Sequence, residues 1–308
     1  MRILVTGSSG FVGRYVIDEL KAAGHEPVRA DNRKAQEPSA EPEYVGDLRD
    51  PAFSKDIITR EKPDGCIHLA GIAFVPMGWS DPSLVFSVNV QATLSLLEAF
   101  REIRPDARVL VVSSAEVYGR EIRKEVLHEQ DELRPENLYA VSKMAADLSA
   151  LLYARQYDMS VMTARPQNHI GPGQSRRFVT TDFAHQLAEI AQGRREPLMR
   201  VGNLESERDF LDVRDVARAY RLLMEKGNAG HAYNIASGHT VPIRHILDRL
   251  MSCANVQPRI EVDTGRFRPT DRQPRLSTDR IHGDTGWEPR FSIEETLKEI
   301  YAAASSGS

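Results

Sequence analysis

The chain has 308 residues, 41% of them hydrophobic, enough to bury the core of one large α/β domain or of two lobes. Forty basic against 44 acidic side chains leave a formal net charge of −4, which argues against binding along a nucleic-acid backbone; any polyanion it takes should be small. Cys66 and Cys253 form neither a disulfide framework nor a metal-ligand spacing, no basic leader precedes the first apolar run, and no run approaches the ~18 apolar residues that cross a bilayer, so a reduced cytoplasmic setting without membrane contact is expected.

The chain opens with Ile3-Leu-Val-Thr-Gly-Ser-Ser-Gly-Phe-Val-Gly-Arg14, an apolar strand entering a glycine turn and then a helix. Gly7 permits the tight turn, Gly10 lets backbone N–H groups approach a pyrophosphate, and Gly13 lets helix and strand pack closely. The unpaired N–H groups and dipole at the helix start favour that anion. Strands are predicted at 2–6, 27–30, 43–45, 65–69 and 108–112, with helices at 12–23, 83–103 and 136–157; the alternation points to a parallel, doubly wound sheet. At the end of the second strand, Asp31 is placed to accept hydrogen bonds from a ribose and to repel a 2′-phosphate, which favours NAD(H). Arg33, two residues on, can offset that repulsion and keeps NADP(H) open.

The strand 108–112 ends in Ser113-Ser-Ala-Glu-Val-Tyr-Gly119, and doubly wound sheets bind ligands at the carboxyl ends of their strands. Ser114 is therefore placed to hold a substrate oxygen. Further on, Tyr139-Ala-Val-Ser-Lys143 sets a phenol and an ammonium about one helical turn apart on the same face. Tyrosine titrates near ~10, too high for efficient proton transfer at neutral pH, and a nearby cation lowers that value; Lys143 is assigned this part. It can also bind the ribose hydroxyls of a nicotinamide cofactor.

A strand at 160–164 leads into Arg165-Pro-Gln-Asn-His-Ile-Gly-Pro-Gly-Gln174, whose prolines and glycines predict a loop and a lobe boundary. Residues 1–166 are assigned to dinucleotide binding, with the chain returning there around 205–240, and 167–308 to a smaller substrate lobe. Helices are predicted at 180–192 and, capped by Asp212, at 213–226, while Ser292-Ile-Glu-Glu295 is a capping box for the last one. The arginine-rich stretch 266–275 reads as a loop, and the small polar tail 302–308 is set aside. The histidines show no H-E-x-x-H spacing and no G-x-S-x-G elbow occurs, so neither zinc nor serine-hydrolase chemistry is expected.

Thr6-Gly-Ser-Ser-Gly-Phe-Val-Gly13, Ser114 and Tyr139-x-x-x-Lys143 resemble the extended short-chain dehydrogenase/reductase family of sugar-nucleotide epimerases, dehydratases and reductases, over nearly the whole chain. The resemblance implies a Rossmann-type doubly wound parallel sheet with a smaller C-terminal α/β substrate lobe, and NAD(H) or NADP(H) as cofactor. It places the cofactor on Gly7, Gly10, Phe11, Val12 and Gly13, with Asp31 and Arg33 at the ribose and with Asp47 and Leu48, of Gly46-Asp-Leu-Arg49, at the adenine. Leu69, Ala70, Gly71, Asn89, Tyr139, Lys143 and Pro166 complete that site. A homodimer is implied too, and the helices 83–103 and 136–157 carry apolar residues beyond one stripe, among them Leu94, Leu97, Leu148, Leu151 and Leu152.

Arg165-Pro-x-Asn-His-x-Gly-Pro-Gly-Gln174 and Val201-Gly-Asn-Leu-Glu-Ser-Glu-Arg-Asp-Phe-Leu-Asp-Val213 resemble the branch that acts on GDP-sugars, with Gln167 where the family usually has Phe. Carried over by position, Asn168 touches the sugar or a phosphate, Val179 and the segment from Val201 to Asn203 line the nucleotide pocket, Arg208 and Arg268 grip the diphosphate, and Asp271 holds a ribose. The implied reaction is NAD(P)H-dependent reduction of the 4-keto group of a GDP-6-deoxy-4-keto-hexose, with Ser114 orienting the carbonyl and Tyr139 donating the proton. A GDP-mannose 4,6-dehydratase is the alternative, because Glu116 stands where dehydratases carry the base for the carbon-5 proton; Ala115, inert where they present a polar group, weighs against it. A nonenzymatic dinucleotide-sensing protein is a third reading, disfavoured because such relatives typically lack the Tyr-x-x-x-Lys pair.

Overall fold

Short runs rich in Val, Ile and Leu, bounded by polar turns, become buried parallel strands. The computed structural model describes residues 1–34, 41–120, 124–263, 265 and 273–306. β1 (Arg2–Thr6), β2 (Glu26–Asp31), β3 (Glu43–Val45), β4 (Gly65–His68) and β5 (Arg108–Val112) agree with the predicted ranges to within a residue. With Val161–Pro166 and Ala232–Ile235 they form one seven-stranded sheet, ordered Ala232–Ile235, Val161–Pro166, β5, β4, β1, β2, β3, and every pairing is parallel. The chain turns back at β1, whose neighbours are β2 and β4, and this reversal opens a crevice at the carboxyl ends of the strands. The expected Rossmann-type sheet is therefore present.

Both faces of the sheet are covered. On one, α1 (Phe11–Ala22) and the helix Val213–Lys226 pack Val16, Leu20, Val216 and Leu223 against Ile3, Val5, Ile67 and Leu110. On the other, α2 (Pro51–Glu61) and the helices Ala92–Ile103 and Leu138–Tyr157 bring Ile57, Leu96, Phe100 and Ala150 against Leu4, Val28 and Val109. Each such Leu, Ile or Phe contributes about 1.5–3 kcal/mol relative to exposure.

The predicted helix 83–103 is a composite: Pro82–Phe86, a π-helical turn at Ser87–Gln91, then Ala92–Ile103. Contrary to the reading of the sequence, Pro82–Ile103 is long and apolar enough to cross a membrane by length and composition. Its apolar face is used inside the protein: Val85, Ala92, Leu96, Leu97, Ala99 and Phe100 are buried. Leu97 therefore belongs to the core and presents no outer surface.

The loop predicted from Arg165 is shorter than expected. Arg165 and Pro166 extend the sixth sheet strand, and Asn168–Ile170 forms a strand of its own, parallel to Glu207–Asp212, which also pairs antiparallel with Thr240–Pro242. The helices Val179–Ala191, Ile243–Ala254 and Ile293–Ser306 enclose a second core around Phe183, Leu187, Met199, Leu247, Leu250 and Leu297. The last helix starts as the capping box requires: Glu295 accepts from Ser292 N–H at 3.0 Å, and Ser292 Oγ accepts from Glu295 N–H at 3.2 Å. It runs on into the tail that the sequence reading set aside, as far as Ser306, burying Ala304 in the second core.

Candidate active site

The glycine turn is shaped for close backbone approach. Gly7 has φ +68°, and a Cβ there would stand 2.8 Å from Ala70 N. A Cβ on Gly13 would come within 2.5 Å of Gly7 O, so α1 and the turn can meet only without a side chain. Gly10 precedes α1 and offers no side-chain cap, leaving the N–H groups of the first turn directed outward. A cradle that any Cβ would fill, opening onto an uncapped helix start, fits the pyrophosphate of a dinucleotide. Asp31, at the end of β2, docks on this turn by accepting from Ser9 N–H at 2.9 Å, and the exposed Arg33 follows two residues on.

The remaining residues assigned to the cofactor divide into groups. Leu69, Ala70 and Gly71 follow β4 at the crevice, and Pro166 ends the strand Val161–Pro166, separated from β4 by β5. Phe11 stacks on His169 of the second lobe, with centroids 6.4 Å apart, and Val12 packs on the first core. Leu48 is buried in the second-face core, and Asp47 forms a bidentate pair with Arg49, so the acidic side chain is engaged by its own loop. Asn89 is engaged within the protein. Its Oδ1 accepts from Ile72 N–H at 2.8 Å, while Nδ2 donates to Ile72 O at 3.2 Å and to Ser142 Oγ at 2.9 Å. Both N–H groups are used, so the amide ties the loop after β4 to the tyrosine helix. The π-helical turn that holds Asn89 is a feature common at functional sites.

Ser114 follows β5 and caps a short turn by accepting from Glu116 N–H at 3.2 Å. Tyr139 and Lys143 lie in the helix Leu138–Tyr157, whose start is set by Asn137: its side chain accepts from Ala140 N–H at 2.8 Å. The structure brings Ser114 and Glu116 close enough to the Tyr139 phenol for both to act on its proton affinity. Tyr139 is 6% exposed and Lys143 8%. The expectation that Lys143 lowers Tyr139 is not met: burial pushes the phenol up to about 12, opposed by the nearby Ser114 hydroxyl and reinforced by Glu116. Lys143 donates to Val112 O at 2.7 Å instead, and burial holds it down to about 8 against the pull of Asp147. At neutral pH the phenol keeps its proton, the state required of a proton donor.

Behind the site, His68 occupies a buried polar relay. Ala70 N–H donates to Thr6 Oγ1 at 3.3 Å, and Thr93 Oγ1 donates to Asn89 O at 2.8 Å. Thr6 Oγ1 lies 2.7 Å from His68 Nδ1 and Thr93 Oγ1 lies 2.9 Å from Nε2. Each hydroxyl has one proton, so Thr6 donates to Nδ1 and the imidazole carries its hydrogen on Nε2. Burial, helped by the Lys143 charge, holds the imidazole down to about 3. An unfolded histidine titrates near ~6.5, so the native state loses stability as pH falls from about 6.5 toward about 3, at up to about 1.4 kcal/mol per pH unit. Chemical denaturation at pH 7.0 and at pH 5.0 should show this loss in the parent and a flatter pH dependence in His68→Gln. An unchanged slope in the variant would assign the acid sensitivity elsewhere.

In the second lobe, Asn168 donates to Asp209 O at 3.0 Å and to Gln273 Oε1 at 2.6 Å. Val179 begins its helix, and Asn203 Oδ1 accepts from Glu205 N–H at 2.9 Å. Arg208 lies on the strand Glu207–Asp212, donating to Glu207 O at 2.8 Å. Val201 corrects the reading: its side chain is fully buried in the second core, so it can offer a ligand only main chain. Arg268 and Asp271 lie outside the described residues. Gln273 and Asn137, which the sequence reading passed over, both bond the Glu116 carboxylate. An Asn just before a helix is a readable cap, whereas nothing local marks Gln273.

A glycine cradle at the head of a doubly wound sheet, with Ser114, Tyr139 and Lys143 at its carboxyl edge, defines an extended short-chain dehydrogenase/reductase. The model of the GDP-mannose 4,6 dehydratase family matches residues 4–300, and the chain belongs to this family. It is 38% identical over 301 residues to a GDP-6-deoxy-D-mannose reductase of Pseudomonas aeruginosa, covering 97% of this chain and 95% of that protein. A UDP-glucose 4-epimerase of Lacticaseibacillus casei is 29% identical, over 97% of this chain and 95% of the other. Among solved structures, RMD from Pseudomonas aeruginosa complexed with NADPH superposes with a TM-score of 0.89 at 36% identity, covering 100% and 99% of the two chains. The Thermus thermophilus UDP-glucose 4-epimerase complex with NAD gives 0.88 at 26% identity, covering 100% of both.

Proposed function

We propose that this protein is an NAD(P)H-dependent reductase of the 4-keto group of a GDP-6-deoxy-4-keto-hexose, yielding a GDP-6-deoxyhexose such as GDP-D-rhamnose. The observation that carries the reading is the buried Tyr139 phenol, protonated at neutral pH, with Ser114 close enough to act on it, at the crevice that the glycine cradle opens. Likeness to a GDP-6-deoxy-D-mannose reductase over nearly the full length supports the substrate class.

NAD(H) or NADP(H), held by the glycine cradle and Asp31, supplies the hydride. Ser114 Oγ orients the substrate carbonyl, and Tyr139 delivers its proton to the oxygen as negative charge develops there. Lys143, charged at neutral pH and fixed on Val112 O, offers its other hydrogens to ribose hydroxyls and to the phenolic oxygen as it gives up its proton. Asn168 donates both N–H groups within the protein and presents Oδ1, which suits a sugar hydroxyl better than a phosphate.

Purified protein given GDP-4-keto-6-deoxymannose should oxidise NADH or NADPH, whichever is preferred, and with GDP-mannose alone should form no keto sugar. Keto-sugar formation in the second mixture without net change in the nicotinamide would make the protein a dehydratase. The same reading includes a homodimer through the outer faces of Ala92–Ile103 and Leu138–Tyr157, where Leu148 and Leu152 are 49% and 47% exposed. Sedimentation equilibrium should give twice the 34.5 kDa chain mass, falling to one chain mass in Leu148→Glu/Leu152→Glu. A monomeric parent would remove this part of the reading.

A further inference from the structure

Glu116 is held in a hydrogen-bond arrangement whose direction is set by main-chain groups one and two amide side chains away. Gln273 Nε2 donates to its Oε1 at 3.0 Å, Asn137 Nδ2 donates to its Oε2 at 3.4 Å, and the Arg120 guanidinium lies 3.7 Å from Oε2. Gln273 is only 4% exposed, and its own Oε1 accepts from Asn168 Nδ2 at 2.6 Å. Its main chain is fixed too: Gln273 N–H donates to Glu207 O at 3.3 Å, and the next carbonyl, Pro274 O, accepts from Gln167 Nε2 at 3.0 Å.

None of these amides can be turned round. Asp209 O is a backbone carbonyl and can only accept, which makes the Asn168 group facing it Nδ2. That nitrogen faces Gln273, so Gln273 must present its oxygen to Asn168 and its nitrogen to Glu116. On the other side, Ala140 N–H can only donate, so Asn137 gives it Oδ1 and turns Nδ2 toward Glu116. Two backbone groups, Asp209 C=O and Ala140 N–H, thus require both Glu116 oxygens to be acceptors. A proton arriving on Oε1 in the Gln273 direction would set an O–H against an N–H.

We propose that Gln273 is a positioning residue that determines reaction specificity, by holding Glu116 as a hydrogen-bond acceptor and withholding it from proton abstraction at the carbon adjacent to the substrate keto group. The inference rests on the reductase reading and adds to it the reason one site reduces the ketone without enolising it. In the step withheld, the adjacent C–H bond breaks and its electron pair enters the enolate, with the developing oxyanion facing Ser114 and Tyr139. The proton would pass to Glu116; its return as a deuteron in D2O gives exchange with no oxidant or reductant consumed. With Gln273 in place, that transfer loses the best-formed bond to the carboxylate.

The probe is GDP-4-keto-6-deoxymannose in D2O with oxidised cofactor and no reductant, deuterium at the carbon adjacent to the ketone being followed by NMR. The parent should exchange at the buffer rate. Gln273→Leu should exchange at least tenfold faster, retain reduction, and return to the buffer rate when Glu116→Gln is added. Gln273→Glu provides a second variant of nearly unchanged shape. A single proton shared between the two carboxyls restores the bond at low pH, so its exchange should rise with pH, a response that loss of packing alone would not produce. Exchange at the buffer rate in both single variants, with reduction intact, overturns the proposal, as does rapid exchange by the parent. Failure of the parent to oxidise NADH or NADPH with this sugar would instead remove the reductase reading, and the reductant-free exchange assay tells the two failures apart.

Discussion

Tyr139→Phe is expected to lower kcat by on the order of 10²- to 10⁴-fold while leaving nicotinamide dinucleotide affinity unchanged. The phenol is the proton-holding group beside Ser114, and its upward shift to about 12 keeps it protonated across the physiological range. The Phe ring fills the same buried volume, and among the described residues no recorded hydrogen bond of the phenol is given up, so neither the glycine cradle nor the helix Leu138–Tyr157 need move. A loss of stability of about 1 kcal/mol, the ordinary worth of one hydrogen bond, is the most that folding should register. Turnover and cofactor titration measured on one preparation separate the effects. Retention of more than about a tenth of parental turnover would mean that another group supplies the proton, contrary to the 10²-fold minimum expected for a general acid.

Asp147→Ala should cost about 3–5 kcal/mol of folding stability, the range for leaving one member of a buried ion pair without its partner. Asp147 is fully buried; its Oδ2 accepts from Arg165 Nε at 2.7 Å and its Oδ1 from Arg165 Nη2 at 3.3 Å and Thr163 Oγ1 at 3.0 Å. Arg165 spends Nη1 on Tyr118 Oη and Glu129 O, at 2.9 and 3.0 Å, with its guanidinium 5.3 Å from the Tyr118 ring centroid. Burial alone would depress the guanidinium, but Asp147 outweighs it and the group is raised, so Arg165 cannot escape by losing its proton. The charge left behind in the Ala variant must be solvated by opening the structure around Tyr118, next to the turn that carries Ser114 and Glu116. Urea denaturation should show the loss, and Arg165→Met/Asp147→Leu should regain much of it, because an apolar pair needs no compensation. A single-variant loss below about 1 kcal/mol, the value of an exposed pair, would show that water reaches this site.

The sequence by itself determined what depends on near neighbours. The glycine turn is readable because a left-handed φ at Gly7 and a 2.5 Å approach at Gly13 exclude side chains. The Asp212 cap and the Ser292–Glu295 box are readable because each satisfies helix N–H groups two or three residues away. Tyr139 and Lys143 fall on one face because a helix turn brings them there, and alternation of strands with helices is enough for a parallel sheet.

Tertiary structure decided whatever is paired across the fold. That Ala232–Ile235 joins the central sheet depends on pairing with Val161–Pro166, about seventy residues earlier in the chain, and no local pattern records such a partner. Gln273 meets Glu116 across 157 residues, so an amide in an arginine-rich stretch becomes a controlling neighbour of the active site. Whether Leu48 and Val201 face a ligand or a core, and whether Asn89 serves a cofactor or ties two segments together, is likewise set by packing. Burial also reversed the pKa logic. Spacing alone suggests a phenol lowered by its lysine, but removing both groups from water favours the neutral phenol and weakens the lysine's hold on its proton, because desolvation acts against whichever form is charged.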